Sequence, residues 1–241
     1  MINIYTLIAS RRKRGVSNHF AELINTEIEK NFLKKGEKIN KTIKYIEDYN
    51  IRNCSGCQSC FRNGKCIFHD DQELFIQDIS DSDIIIFCVP VYINNVPGDL
   101  KSLLDRIAYL MHLMPFIGKH GILFTSTSLS GKEMVEGYME MIFSYLGISL
   151  DLKIGYFDKE KILKDDDISK IQTFVDLYIN NNFEIPQLLN QVFKYYHNHF
   201  TPYKDLDIDD NELKYWVNNY LCYNNIEEVL KYKIEKKEKM K

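Results

Sequence analysis

The sequence predicts an α/β protein: a doubly wound parallel sheet of five strands with helices on both faces, followed by a helical C-terminal extension. Three observations predict it. Apolar runs of strand length alternate with helix-spaced segments five times before residue 182. The run Ile84, Ile85, Ile86, Phe87 is apolar on both faces, as a strand covered from each side must be. Beyond Asn182 the alternation stops, and helix-like segments punctuated by Pro186 and Pro202 take over. The expected division is therefore 1–182 for the sheet domain and 183–241 for the extension.

Each element has its own signal. Ile2 to Ala9 is a short apolar strand. Ser17 is placed to cap a helix from Asn18 to about Leu33, with Phe20, Leu23, Ile24 and Ile28 on one face. Ile39 to Tyr45 alternates as a second strand. Asp70 and Asp71 open a helix through Ile79. Asp83 to Val89 is the third strand, ended by Pro90. Gly98 to Met114 repeats Leu100, Leu103, Leu104, Ile107, Leu110 at helical spacing. Gly121 to Thr125 is the fourth strand, Met134 to Leu146 a helix, Ile148 to Ile154 the fifth strand, and Ile168 to Ile179 the last helix of the sheet domain. In the extension, Leu188 to Tyr196 and Glu212 to Leu230 read as two helices around an acidic loop. Their aromatic residues suggest docking on another surface rather than a separate core. The Lys- and Glu-rich end is expected to fray.

Bulk properties narrow the function. With 45% hydrophobic and 27% charged residues, the chain has an ordinary globular composition, and a net charge of −3 argues against non-specific nucleic-acid binding. No run approaches the roughly 18 apolar residues of a membrane span, and Met1 to Ser10 reads as a strand rather than a secretory leader. A cytoplasmic location is expected, where thiols stay reduced.

In open parallel sheets, ligands bind beyond the carboxyl ends of the strands, here at the switch point between the first and third. The loop after strand one, Ser10-Arg11-Arg12-Lys13-Arg14-Gly15-Val16-Ser17-Asn18, supplies hydroxyls, cations, a glycine turn and a helix N-terminus. Those parts suit a phosphate. The loop is neither a G-x-G-x-x-G nor a P-loop, which favours a mononucleotide.

The loop after strand three reads Pro90-Val91-Tyr92-Ile93-Asn94-Asn95, and the helix that follows carries Leu100-Lys101 and Asp105-Arg106. With the first loop, this resembles the flavodoxin-like NAD(P)H-dependent FMN reductase family over about the first 155 residues. Members read G-S-P-R-x-x-G-N-[ST], then P-[VI]-Y-[FW], then L-K-x-x-x-D-R. The resemblance implies a flavodoxin-like sheet of order 2-1-3-4-5, FMN as cofactor and NAD(P)H as co-substrate. It assigns Ser10, Arg12, Gly15, Val16, Ser17 and Asn18 to the FMN phosphate. Pro90, Val91, Tyr92, Ile93, Asn94 and Asn95 would lie along the ring, with Thr125 and Ser126 on its other side. Ala9, Arg11 and Val16 depart from the family's glycine, proline and asparagine. Asp105 and Arg106 read as a structural salt bridge or subunit contact.

Cys54-x2-Cys57-x2-Cys60-x5-Cys66 is the sharpest local signal. Four thiolates on one curled loop could ligate a [4Fe–4S] cubane, and the segment resembles that of the iron–sulfur flavoprotein branch of the same family. Zinc and unligated or redox-active thiols remain open. Cys88 reads as core.

The leading expectation is an FMN-dependent oxidoreductase or electron-transfer flavoprotein, fed by NAD(P)H or a ferredoxin-like protein and passing electrons to a small-molecule acceptor. The cofactor carries the chemistry, so no catalytic side chain is assigned. A homo-oligomer (dimer or tetramer) is expected. The rival is a non-enzymatic redox or metal sensor whose C-terminal tail binds a protein partner.

Overall fold

The computed structural model describes residues 1–239, with only the backbone at Glu238. Its strands are β1 (Ile2–Ile8), β2 (Ile39–Tyr45), β3 (Ile84–Pro90), β4 (His120–Thr127) and β5 (Ser149–Phe157). Its helices are α1 (Val16–Lys34), α2 (Ser59–Asn63), α3 (Gln72–Ser80), α4 (Gly98–Arg106), α5 (Lys132–Leu146), α6 (Asp165–Ile179), α7 (Gln187–Phe200), α8 (Asn211–Asn219) and α9 (Ile226–Lys239).

The sheet is parallel throughout, in the order β2-β1-β3-β4-β5, the doubly wound arrangement expected of the sequence. Successive side chains of a strand point to opposite faces. The central strand β3 therefore sends Ile84, Ile86 and Cys88 into one layer and Ile85, Phe87 and Val89 into the other, all six buried. Helices α1 and α6 close the first layer with Phe20, Ile24, Phe32, Ile171 and Phe174. Helices α3, α4 and α5 close the second with Phe75, Leu100, Leu104, Met139 and Phe143. All loops that follow the strands consequently emerge at one end of the sheet.

The extension differs from expectation. Three helices, not two, gather Leu189, Phe193, Tyr196, Leu213, Trp216, Tyr220 and Val229 into a third buried cluster, completed by Met114 and Ile117 of the sheet domain. Large aromatic side chains supply enough apolar area for this from a short segment. Trp216 Nε1 donates to the His112 carbonyl at 2.8 Å, and the Tyr220 hydroxyl to that of Met114 at 2.7 Å.

Several boundaries also differ. Helix α1 starts at Val16 with Gly15 as its cap, so Ser17 lies inside the helix rather than capping it. The segment expected as one helix from Gly98 to Met114 ends at Arg106 and tightens into a 3₁₀ turn over Ala108–His112. Such tightening satisfies terminal carbonyls, as Leu110 N–H does for Ile107. The span Glu212 to Leu230 breaks between α8 and α9, where Asn225 Oδ1 accepts from Glu228 N–H at 2.9 Å and starts a new helix. The end expected to fray is helical to Lys239, tied by Lys237 to Asp83 at 2.7 Å; the last two residues lie outside the described ones.

Candidate functional site

A cleft of about 630 Å³ opens beyond the carboxyl ends of β1, β3 and β4. Its floor is the start of α1. Among the described residues no side chain caps that helix, and its first turn carries no acidic residue, so its first N–H groups and dipole face the cleft. The first loop is built to reach it. Gly15 N–H donates to the Arg12 carbonyl at 3.0 Å, and Ser10 Oγ accepts from Arg12 N–H at 3.2 Å. A Cβ on Gly15 would lie 2.9 Å from that carbonyl, so the turn needs glycine.

The four cations of the loop divide. Arg11 pairs with Asp99 at 2.6 Å, and Lys13 with Glu47 at 2.8 Å while lying 3.4 Å over the Tyr45 ring. These contacts anchor the loop. Among the described residues, no ion pair engages Arg12 or Arg14, and both line the cleft. An uncapped helix start with two unpaired guanidinium groups can bind a phosphate dianion.

The second loop is a tight turn. Tyr92 and Asn95 exchange backbone hydrogen bonds at 2.8 and 3.0 Å, and Ile93 and Asn94 both take left-handed conformations, φ 50° and 57°. Ile93 is 99% exposed at the tip. A β-branched residue with positive φ is strained. Val91 N–H donates to the Ser126 carbonyl at 2.8 Å, and Gly131 brings the third loop against Asn94.

Of the residues expected at the site, Ser10, Arg12, Gly15, Val16, Ser17, Asn18, Pro90, Val91, Tyr92 and Ser126 line one cleft. The Ser17 and Ser126 hydroxyls lie 3.3 Å apart within it. Ile93, Asn94 and Asn95 form the rim turn above. The Thr125 hydroxyl turns away, donating to Glu136 at 2.7 Å. Lys13 and Arg14 of the first loop, read there only as part of its run of cations, line the cleft as well, and Thr127, Ser128, Asp158 and Lys161 also line it and were missed by sequence reasoning. Asp158 and Lys161 follow β5, and their place after a strand end was the available signal.

The cysteine segment leaves β2 on the same side of the sheet. Its flanks are clamped: Asp71 accepts from Asn50 N–H at 2.7 Å, and Asp70 from Arg52 N–H at 3.0 Å. Between them, Gly56, Gln58 and Gly64 take left-handed conformations, and α2 carries Cys60, an element that the loop reading missed. All six cysteines are free thiols. Gly56 N–H points at the Cys54 sulfur from 3.4 Å. The Ser59 N–H and then the Ser55 hydroxyl pull the Cys57 pKa down, whereas burial raises that of Cys60. Among the described residues, no three Cys, His, Asp or Glu side chains converge as one metal ion requires. The donor set nevertheless suits a thiolate-bound cluster: four thiols on one clamped loop, N–H groups aimed at sulfur, and the buried Arg106 guanidinium within reach of Cys66. Arg106 pairs with Asp70, and Asp105 with Lys101.

The model of the family described as NADPH-dependent FMN reductase matches residues 2–150. An iron–sulfur flavoprotein of Archaeoglobus fulgidus is 29% identical over 151 residues, 62% of this chain and 64% of the relative, so the match spans just under two thirds of that protein. An iron–sulfur flavoprotein of Clostridioides difficile is 28% identical over 199 residues, 80% of this chain and 86% of the relative. Among solved structures, RosB with a bound formylriboflavin-5′-phosphate intermediate superposes with a TM-score of 0.55 at 12% identity, covering 76% of this chain and 82% of its own, a likeness of fold. With a matching family model over more than half its length and the doubly wound sheet already described, the chain belongs to the NADPH-dependent FMN reductase family.

Proposed function

We propose that this chain is an FMN-dependent oxidoreductase that takes electrons from NAD(P)H or a ferredoxin-like protein and passes them to a small-molecule acceptor. The observation that carries this reading is the cleft: Arg12, Arg14 and the uncapped start of α1 line one pocket where a single phosphate would sit, beside a tight hydrogen-bonded turn that would meet a planar ring. Flavin supplies hydride and electron transfer when bound. The chain's residues bind it, orient it and set its surroundings, and none is assigned an acid or base role.

The four cysteines are proposed to hold a [4Fe–4S] cluster on the same end of the sheet, able to take single electrons from the flavin of this or a neighbouring chain. The names of the two relatives support this, as does the clamped loop. A homo-oligomer is proposed from exposed apolar residues around the cleft: Tyr92, Ile93, Leu129, Met134, Phe157 and Ile162. The sensor reading loses support, because most aromatic residues expected to bind a partner, Trp216 and Phe193 among them, are buried within the chain. No described helix is long and apolar enough to cross a membrane; a cytoplasmic location remains the proposal.

Anaerobic purification tests the whole reading. The expected protein carries FMN, about four irons and four sulfides per chain with broad absorption near ~400 nm, and oxidises NAD(P)H. FAD as the sole flavin would overturn the mononucleotide assignment. FMN without iron after reconstitution would leave a cluster-free flavoprotein. Bound FMN with no turnover of reduced nicotinamide would point to a protein donor.

A further inference from the structure

Arg106, the last residue of α4, is buried to 1% side-chain exposure. Its Nη1 donates to Asp70 Oδ2 at 2.6 Å and to the Arg52 carbonyl at 2.7 Å. Its Nη2 donates to Asp70 Oδ1 at 3.0 Å and to Gln72 Oε1 at 2.8 Å, and the Gln72 amide donates back to the Arg106 carbonyl at 3.0 Å. The Phe68 ring lies 4.9 Å from the guanidinium carbon. A guanidinium has five N–H groups. The Nη groups are fully engaged, while among the described residues Nε, though buried, has no hydrogen-bond partner.

Burial of a polar group without a partner is costly, by roughly 1–3 kcal/mol for such a donor. It is rare enough to need a reason. The surroundings offer one. The Cys66 thiol lies within hydrogen-bonding reach of the guanidinium. A thiol is a weak acceptor, whereas a thiolate bound to a cluster is a strong, negatively charged one.

The arrangement also spans the loop. Arg52 lies two residues before Cys54, and Asp70 four residues after Cys66. One guanidinium thus fastens both ends of the cysteine segment to α4, the helix that leaves the ring turn. The geometry points to Arg106 as a positioning residue for the proposed cluster: it closes the cysteine loop through Asp70 and Arg52 and donates its free Nε–H to the Cys66 thiolate. This rests on the cluster reading of the four cysteines. Hydrogen bonds and positive charge at cluster sulfurs stabilise the reduced, more negative state and raise the potential.

The test is Arg106→Lys in the full chain, reconstituted anaerobically with iron and sulfide. Lysine keeps the charge but cannot span Arg52, Asp70 and Cys66 together. FMN content and melting temperature report the fold. The expected variant binds FMN as wild type, shows a more negative cluster midpoint potential, and loses its cluster to air several-fold faster. Wild-type potential and air lifetime in that variant would overturn the inference. A second measurement needs no change at Arg106: with [15N]arginine, the reduced wild-type cluster should show a weak nitrogen coupling in pulsed electron paramagnetic resonance that survives Arg62→Lys. Absence of that coupling would also overturn it. If wild-type protein binds FMN yet takes up no iron, the cluster reading itself fails and this inference falls with it. Iron uptake with an indifferent Arg106→Lys sinks only the role given to Arg106.

Discussion

At the scale of single residues, the phosphate assignment rests on unpaired charge. Arg11 and Lys13 are tied to acidic partners, so among the described residues the free cations of the run are Arg12 and Arg14, with Ser17 beside them in the cleft. Arg12→Ala with Ser17→Ala removes one charge-assisted and one hydroxyl contact, each worth about 1–3 kcal/mol. Fluorescence titration should show FMN affinity weaker by one to several orders of magnitude, with the melting temperature of the FMN-free protein little changed; unaltered affinity would move the phosphate elsewhere. The glycines make a paired prediction. A Cβ on Gly131, at φ +84°, would meet Asn94 Cα at 2.7 Å, so Gly131→Ala must displace the ring turn. It should lower stability by about 1–3 kcal/mol and weaken FMN binding. Gly137 lies within α5 and a Cβ there meets nothing within 4 Å. Gly137→Ala should instead raise stability by about 0.5–1 kcal/mol. Denaturant unfolding of both variants decides.

At the scale of elements, α9 carries an uncomfortable lysine. Lys233 packs its stem on Gly118, and burial lowers its pKa to about 8, with Lys236 adding to the shift. The sign follows from proton uptake. Below about pH 8 both folded and unfolded chains hold the proton, and the folded state carries the full cost of the buried charge. Between about pH 8 and the ordinary lysine value, the unfolded chain binds more protons, so stability rises with pH. Lys233→Met should therefore be more stable than wild type at pH 7, and the difference should shrink between pH 8 and 9.5. Thermal melts across that window check it; a constant difference would mean the gain comes from packing alone. The element scale also shows why some spans were misread. The helical spacing of Gly98 to Met114 continues through a place where Arg106 must turn inward to Asp70, and the chain tightens there. Spacing reports which face is apolar, not where a buried ion pair ends the helix.

At the scale of the molecule, the extension is a buttress of the sheet domain. Its cluster is closed by Met114 and Ile117, and His112 meets both Glu212 of α8, at 2.9 Å, and the Phe61 ring of α2. Asn211 of α8 also donates to the Arg62 carbonyl, so the extension touches the helix that carries Cys60. Truncation after Asn182 would uncover Met114, Ile117 and part of α5. It should lower the melting temperature by several degrees, as a loss of even 1–2 kcal/mol does in a domain of this size, and promote association. An unchanged melting curve and sedimentation profile would show the extension to be independent of the domain beneath it.

The sequence by itself determined the five strands, their parallel sheet and the two loops that meet at the cleft. Those features are local: apolar runs bury both faces, and a basic loop between strand and helix has one place to go in such a sheet. Only the tertiary structure decided which cations of that loop stay free, because Asp99 and Glu47 that neutralise Arg11 and Lys13 lie 88 and 34 residues further on in the chain. It also decided that Thr125 faces Glu136 rather than the cleft, that the aromatic tail builds a cluster on its own domain, and that Arg106 answers Asp70 rather than its neighbour Asp105. Each of these is a pairing across sequence distance. Such pairings are selected by which side chains the packed layers bring together, and no local pattern records them.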